Sequence, residues 1–206
     1  MHGDQKGAIF PTSIAPFQVV IVPITGADSG DAPLRTARDV LARLTASGIR
    51  VHLDDSDDRP GAKYYHWETA GVPVRIEIGR READAGRVTI KDRLGMKAEA
   101  SLTEVERDVR SHLEKFDTEL RARALRMFAS AFEIAHSLDE LRTIHHVALV
   151  GWCGTEACGH AIEQAIDGAV LGTPETPLPI PLGAPEPCVA CGRKEATQWA
   201  VAGRPI

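Results

Sequence analysis

Apolar positions along the 206-residue chain follow two periods, a strand-length one early and a helical one later. FQVVIVPI (17–24) is a continuous apolar run, the pattern of a strand covered on both faces. After the turn-rich TGADSGD, Leu34, Ala37, Val40, Leu41 and Leu44 fall at helical spacing, and Gly48 supplies a stop. IRVHLDD restarts a strand. AKYYHWETAG, between Pro60 and Pro73, predicts a short helix ended by Gly71, and VRIEIGR and RVTIKDR around ADAG predict a β-hairpin. The resulting β-α-β-α-β-β order over 17–95 predicts a small three-layer α/β domain with a mainly parallel, mixed sheet and one antiparallel edge.

From Ser101 the period changes. Thr103 and Glu106 form a candidate capping box, and Val105, Val109, Leu113, Phe116, Leu120, Ala124, Phe128 and Ala131 recur every three or four residues. This predicts one long amphipathic helix whose Phe and Met residues pack into a core. SLDELRTIHH predicts a shorter helix, HVALVGW a strand, and residues 159–169 a last helix; a Pro-rich run then extends from Pro174 to Pro187. The first sixteen residues, Pro-punctuated and extended, have no evident place in a core. The division expected is 1–16 as a lead-in, 17–100 as an α/β domain, and 101–206 as a helical link with a small C-terminal α/β domain.

Composition changes this picture little. A hydrophobic content of 43% with 26% charged residues is that of a globular protein with room for two cores. No apolar run approaches membrane-spanning length and the N-terminus lacks a signal pattern, so the expected compartment is the cytoplasm. A net charge of -5 excludes a protein that coats nucleic acid nonspecifically. It leaves room for a local basic face, and between Arg75 and Lys97 the balance does reverse. Asp54, Asp55, Asp57 and Asp58 lack the Gly and distal Glu of a calcium loop and are expected to form a solvated turn.

Four cysteines carry the clearest local chemistry. They stand as Cys153-x4-Cys158 and Cys188-x2-Cys191, with Gly154, Gly159 and Gly192 beside them. Two short-spaced pairs in a chain without a secretion signal suit a tetrahedral thiolate site for a structural Zn²⁺ with no open position, against unligated thiols or a redox pair. No phosphate-binding loop, nucleophile elbow or dinucleotide fingerprint occurs. The remaining candidate face lies on the short helix, where Tyr64 and Glu68 are four residues apart and so on one side, beside the strand bearing Arg75. An aromatic ring, a carboxylate and a guanidinium together suit a surface for unstacked RNA bases, against a core aromatic at Tyr64 and a solvated helix-surface charge at Glu68.

HGDQKG, AP-FQVVIVPI, RPGAKYYHWETAGVPVRIEIGRRE, VTIKDR, WCGTEAC and CVACGR, in that order, resemble the C-terminal half of prolyl-tRNA synthetases of the archaeal and eukaryote-like type, across essentially the whole chain. The resemblance implies a class IIa anticodon-binding domain over 17–100, then a helical link and a zinc-binding domain. It implies anticodon contacts at Tyr64, Glu68, Arg75 and Arg81, zinc at Cys153, Cys158, Cys188 and Cys191, and tRNA(Pro) as partner. It also implies a catalytic half upstream that uses ATP and Mg²⁺ to make prolyl-adenylate, and a homodimeric parent enzyme. The chain on its own is then not expected to charge tRNA. Two departures stand out: the chain ends in GRPI where the family commonly ends in an aromatic residue, and FPTSIAP lacks a basic residue common in the corresponding stretch.

Other classes remain open on sequence alone. The chain could be an assembly module that docks on a synthetase catalytic domain without reading RNA, or an independent zinc enzyme, which would need a coordination position open to water.

Overall fold

The computed structural model describes residues 3–26, 30–175, 177–178 and 180–204; Met1, the middle of the TGADSGD turn and Ile206 lie outside them. The chain divides into two compact units, Met1–Ala122 and Arg123–Ile206.

The first unit opens with a minimal antiparallel pair, β1 (Gly3–Asp4) and β2 (Gly7–Ala8), followed by β3 (Val19–Pro23), α1 (Ala32–Ala46), β4 (Val51–Leu53), α2 (Pro60–Thr69) and β5 (Val74–Ile78). A one-turn helix α3 (Arg80–Asp84), β6 (Arg87–Asp92), β7 (Lys97–Ser101) and the long α4 (Val105–Ala129) complete the order; α4 runs on past the division. The five-stranded sheet has the order β4-β3-β5-β6-β7, parallel among β4, β3 and β5 and antiparallel from β5 outwards. This is the mixed α/β sheet the pattern predicted.

Strand alternation divides the sheet into two faces. Val19, Ile21, Val74, Ile76, Ile78, Val88 and Ile90 form a core with Ala37, Val40 and Leu44 of α1 and Val105, Val109 and Leu113 of α4. The intervening residues of β5, Arg75 and Glu77, point to the opposite face, which carries α2. Helix α2 begins at Pro60, whose fixed φ suits a first helical position. It ends at Gly71, whose φ of 77° is the left-handed conformation open to glycine, and a Cβ there would lie 2.8 Å from that of Ala8.

Several expectations are corrected here. The β5–β6 pair is antiparallel, but helix α3 replaces the simple hairpin turn: Glu82 accepts a hydrogen bond from the Gly79 amide at 3.1 Å and so closes the helix start. The N-terminal stretch does have a place in the unit. Ile9 and Ala15 are buried, and Thr12 donates its amide and hydroxyl to the Asp117 carboxylate. Arg93, nearly fully buried, donates to both carboxylate oxygens of Asp4 and to the carbonyls of Gly7 and Glu68. Asp54 is not a solvated turn residue. Its carboxylate accepts from Trp67 Nε1 (2.7 Å) and Ser56 (2.7 Å) and lies 3.5 Å from the buried Lys63 ammonium. These partners outweigh the upward push of burial and hold its carboxyl below the usual range.

The second unit holds β8 (Phe132–Ile134), α5 (Leu138–Thr143), β9 (Val147–Trp152), α6 (Glu156–Ile166), β10 (Ala169–Gly172) and β11 (Gln198–Gly203). Its sheet has the order β10-β11-β9-β8, with β8 parallel to β9 and the other pairs antiparallel. The Ser137 hydroxyl caps α5 by accepting from the Glu140 amide. Helix α6 starts three residues before the expected 159. The expected core packing of the long helix holds at Phe116 but not at its end, where Leu125, Met127 and Phe128 are half exposed.

Candidate RNA-reading face and cysteine centre

The polar face of the first unit brings Tyr64, Glu68 and Arg75 together. The Arg75 guanidinium carbon sits 4.0 Å from the centre of the Tyr64 ring, a cation–π stack. Arg75 Nη1 donates to Glu68 at 3.2 Å, and Nε donates to Glu77 at 3.0 Å. Glu77 also takes the Lys91 ammonium at 3.1 Å, so one nearly buried carboxylate holds two cations. Burial and the Glu77 charge, against the opposing effect of Arg75, push the Tyr64 phenol up to about 12. At neutral pH it is a neutral ring with an O–H donor. Lys63, on the same helix, is buried and donates to the carbonyls of Asp54 and Ser56, which pins the helix start.

Arg81 stands apart from this cluster, exposed on α3, and among the described residues it has no ion-pair partner. Sequence reasoning left out Glu77 and Lys91. Their signal is only partly local: Glu77 is two residues from Arg75 and therefore on its face, whereas Lys91 joins them through the β5–β6 register, in which Arg75 is paired with Lys91.

The four cysteines converge in the second unit. Cys153 follows β9, Cys158 lies in the first turn of α6, and Cys188 and Cys191 sit in the loop before β11. Their sulfurs all lie within 4.8 Å of one another, and Cys153 and Cys191 are 3.9 Å apart. Four thiolates around Zn²⁺ at about 2.3 Å would stand about 3.8 Å apart, so the donor set and spacing fit a tetrahedral thiophilic ion. The loop is shaped for this by backbone bonds: Gly192 N–H to Cys188 O and Cys188 N–H to Arg193 O, both 2.8 Å, with φ at Gly192 of 73°. Val189 N–H reaches Gly151 O, and a Cβ on Gly151 would lie 2.3 Å from the Glu186 carbonyl oxygen. Only glycine lets the loop cross β9 there.

The hydroxyl and amide of Thr155 draw the Cys153 thiol down to about 6. Cys158 is pushed up to about 11: the Thr155 hydroxyl acts to lower it, but burial and the neighbouring sulfurs prevail. His160 is not part of the cluster; it faces Glu163 (3.2 Å) and Glu156 (3.6 Å).

Comparison with known families agrees with both units. The family described as "Anticodon binding domain" matches residues 18–123, just over half of the chain, and "Prolyl-tRNA synthetase, C-terminal" matches 138–205. The chain therefore belongs to the anticodon-binding-domain family. Its two domains in tandem are the anticodon-binding and C-terminal domains found in proline–tRNA ligases. It is 39% identical to the proline–tRNA ligase of Aeropyrum pernix over 97% of this chain and 42% of that protein. It is 42% identical to that of Methanothrix thermoacetophila (94% and 40%) and 40% identical to that of Methanosarcina mazei (98% and 42%). The chain thus spans about two fifths of the length of these curated relatives. Among the described residues, no helix is long and apolar enough to cross a membrane.

Proposed function

We propose that the first unit reads the anticodon of tRNA(Pro) through Tyr64, Glu68, Arg75 and Arg81, and that the second is a small domain pinned by a structural Zn²⁺ on Cys153, Cys158, Cys188 and Cys191. Residues 17–100 carry the reading and 101–206 the link and the zinc domain, with 1–16 leading in from a catalytic portion. In the whole enzyme, that portion makes prolyl-adenylate with ATP and Mg²⁺ and transfers proline to the tRNA, as a homodimer in the cytoplasm. The observation that carries the reading is the stacked Tyr64–Arg75 pair with Glu68 in hydrogen-bond reach.

The chemistry favours guanine, which ends proline anticodons twice. A carboxylate accepts from guanine N1–H and N2–H, and a guanidinium fork donates to O6 and N7. Unpaired bases stack on aromatic rings and guanidinium planes alike. Zinc would supply a cross-link between the end of β9, α6 and the loop before β11, with its four positions filled by protein sulfur.

The test is binding of the zinc-loaded chain to a proline tRNA transcript and to one with both anticodon guanines replaced, across several salt concentrations. A preference for the guanine-bearing transcript is expected, lost on Arg75→Ala or Glu68→Ala at a cost of about 1–3 kcal/mol each. Equal affinity for the two transcripts at every salt concentration would refute anticodon reading.

A further inference from the structure

The turn between β9 and α6 holds a threonine that does not act as its position would suggest. Thr155 is the N-cap of α6, where a threonine hydroxyl ordinarily accepts a hydrogen bond from an amide of the first turn. Here the side chain makes no such bond. Its Oγ1 instead lies 3.3 Å from Cys153 Sγ, its amide reaches the same sulfur, and the hydroxyl is also within reach of Cys158. One side chain thus stands between both cysteines of the first pair.

The backbone holds the hydroxyl in that place. The Thr155 carbonyl accepts from Gly159 N–H at 3.0 Å and from Trp152 Nε1 at 3.1 Å, so the helix start and the last residue of β9 grip it together. A β-branched side chain on a fixed backbone has few χ1 choices. Trp152 packs against the core of the second unit, which ties the grip back into the fold.

Four thiolates around one divalent cation leave a net negative charge, and Glu156, the first residue of α6, adds another of the same sign beside it. Hydrogen bonds to sulfur spread that charge and orient the ligand. A thiolate carries no proton, so in the contact with Cys153 the hydroxyl is the donor.

We propose that Thr155 is a positioning residue for the metal centre: its hydroxyl donates to the thiolates of the first cysteine pair, fixing Cys153 and drawing off part of its charge. This rests on the zinc reading above. The start of α6 forgoes its usual side-chain cap so that the hydroxyl can serve the sulfurs.

The test uses the full chain with Thr155→Val, which keeps the branched shape and removes the hydroxyl, and Thr155→Ser, which keeps the hydroxyl. Zinc affinity is read by competition with a chromophoric chelator at neutral pH, and the state of the sulfurs by the sulfur-to-cobalt charge-transfer band of the Co²⁺-loaded chain. Thr155→Val is expected to weaken zinc binding about 10- to 100-fold, the usual effect of removing a group that supports a metal ligand. It should also move the band to longer wavelength, because a thiolate that loses a hydrogen bond holds its electrons less tightly. Thr155→Ser should retain the band position and most of the affinity. A band unmoved in Thr155→Val overturns the proposal even where affinity falls, since a purely structural loss leaves the sulfur electrons as they were. Thr155→Ser failing as badly as Thr155→Val overturns it too, and this comparison decides the matter if Thr155→Val takes up no metal at all. A wild-type chain that gives no four-thiolate cobalt spectrum refutes the zinc reading itself.

Discussion

The two units close their sheets with different materials. In the first, the core cluster is built almost wholly from Val, Ile and Leu, with Ala37 and Ala100 its only alanines. In the second, half of the ten clustered residues are alanine: Ala135, Ala148, Ala165, Ala200 and Ala202. Each methylene withheld from a core forgoes about 0.8 kcal/mol of burial. On the proposed reading the second unit compensates with a metal: four sulfurs within 4.8 Å of one another tie the loop before β11 to the end of β9 and the start of α6. A small domain with a thin core is where a structural metal contributes most. The proposed base-reading face sits on the first unit, whose core is the fuller of the two.

Breaking the sulfur cluster should separate the two most sharply. Cys188→Ser, or a strong chelator, is expected to remove the metal and unfold the second unit, since structural zinc contributes about 10–16 kcal/mol in small metal-dependent folds. Trp152 and Trp199 report on that unit and Trp67 on the first. Near-ultraviolet circular dichroism with tryptophan replacements should show the first two signals collapse and the third persist; loss of all three together would mean the units fold as one. Next comes Gly151→Ala. Its methyl would have to displace the Glu186 and Pro187 carbonyls, so the second unit should lose about 1–3 kcal/mol in a denaturant titration, with the first transition unmoved. Equal shifts in both transitions would contradict the separation.

The smallest effects are expected from pH, and they run in opposite directions. Asp54, in the first unit, has its folded carboxyl lowered, so its contribution is complete above the unfolded value near 3.8 and is lost as pH falls through the folded one. Asp54→Asn should therefore flatten the acid limb of the first unit's stability. His136, in the second unit, is raised from 6.5 by its hydrogen bond to Glu186 at 2.6 Å. Its contribution is complete below 6.5 and is lost as pH rises through the folded value. It is exposed, so the effect on stability is small, and the direct check is ring-proton NMR: a midpoint above 6.5 that falls in Glu186→Gln.

What was legible in the sequence was what is local. The run Val19–Val22, the stripe through α1 and Gly71 after α2 each act within a few residues, and each has its predicted form; the Cys spacings announced two pairs, which the fold brings together. The α3 turn was legible too: Glu82, three residues past Gly79, is a helix-start signal that the hairpin reading passed over. Strand β11 was not, because QWAVAG owes its conformation to pairing with β9, some fifty residues earlier, and the Pro-rich run before it hides the pattern. The same holds for the reading face. Tyr64 and Glu68 share a helix and declare themselves, whereas Lys91 becomes a neighbour of Arg75 only once β5 and β6 are in register. The N-terminal stretch was misread for a similar reason, since its anchors, Arg93 and Asp117, are about ninety and one hundred residues away.

The Glu68–Arg75 bond also has a thermodynamic meaning. A guanidinium already fixed by a ring and two carboxylates has little rotamer freedom left to lose, where a free arginine would forfeit up to about 2 kcal/mol on being ordered. On the proposed reading, a base arriving at this face would have to displace Glu68 from Arg75 and offer both of them something at least as good. Guanine, with donors on one edge and acceptors on another, can satisfy the two released groups at once. Adenine, uracil and cytosine also carry donors and acceptors, but none pairs two adjacent N–H donors with two adjacent acceptors, so on the proposed reading none can meet both groups with two hydrogen bonds each. On that reading, the protein's own carboxylate is the competitor against which every base is weighed.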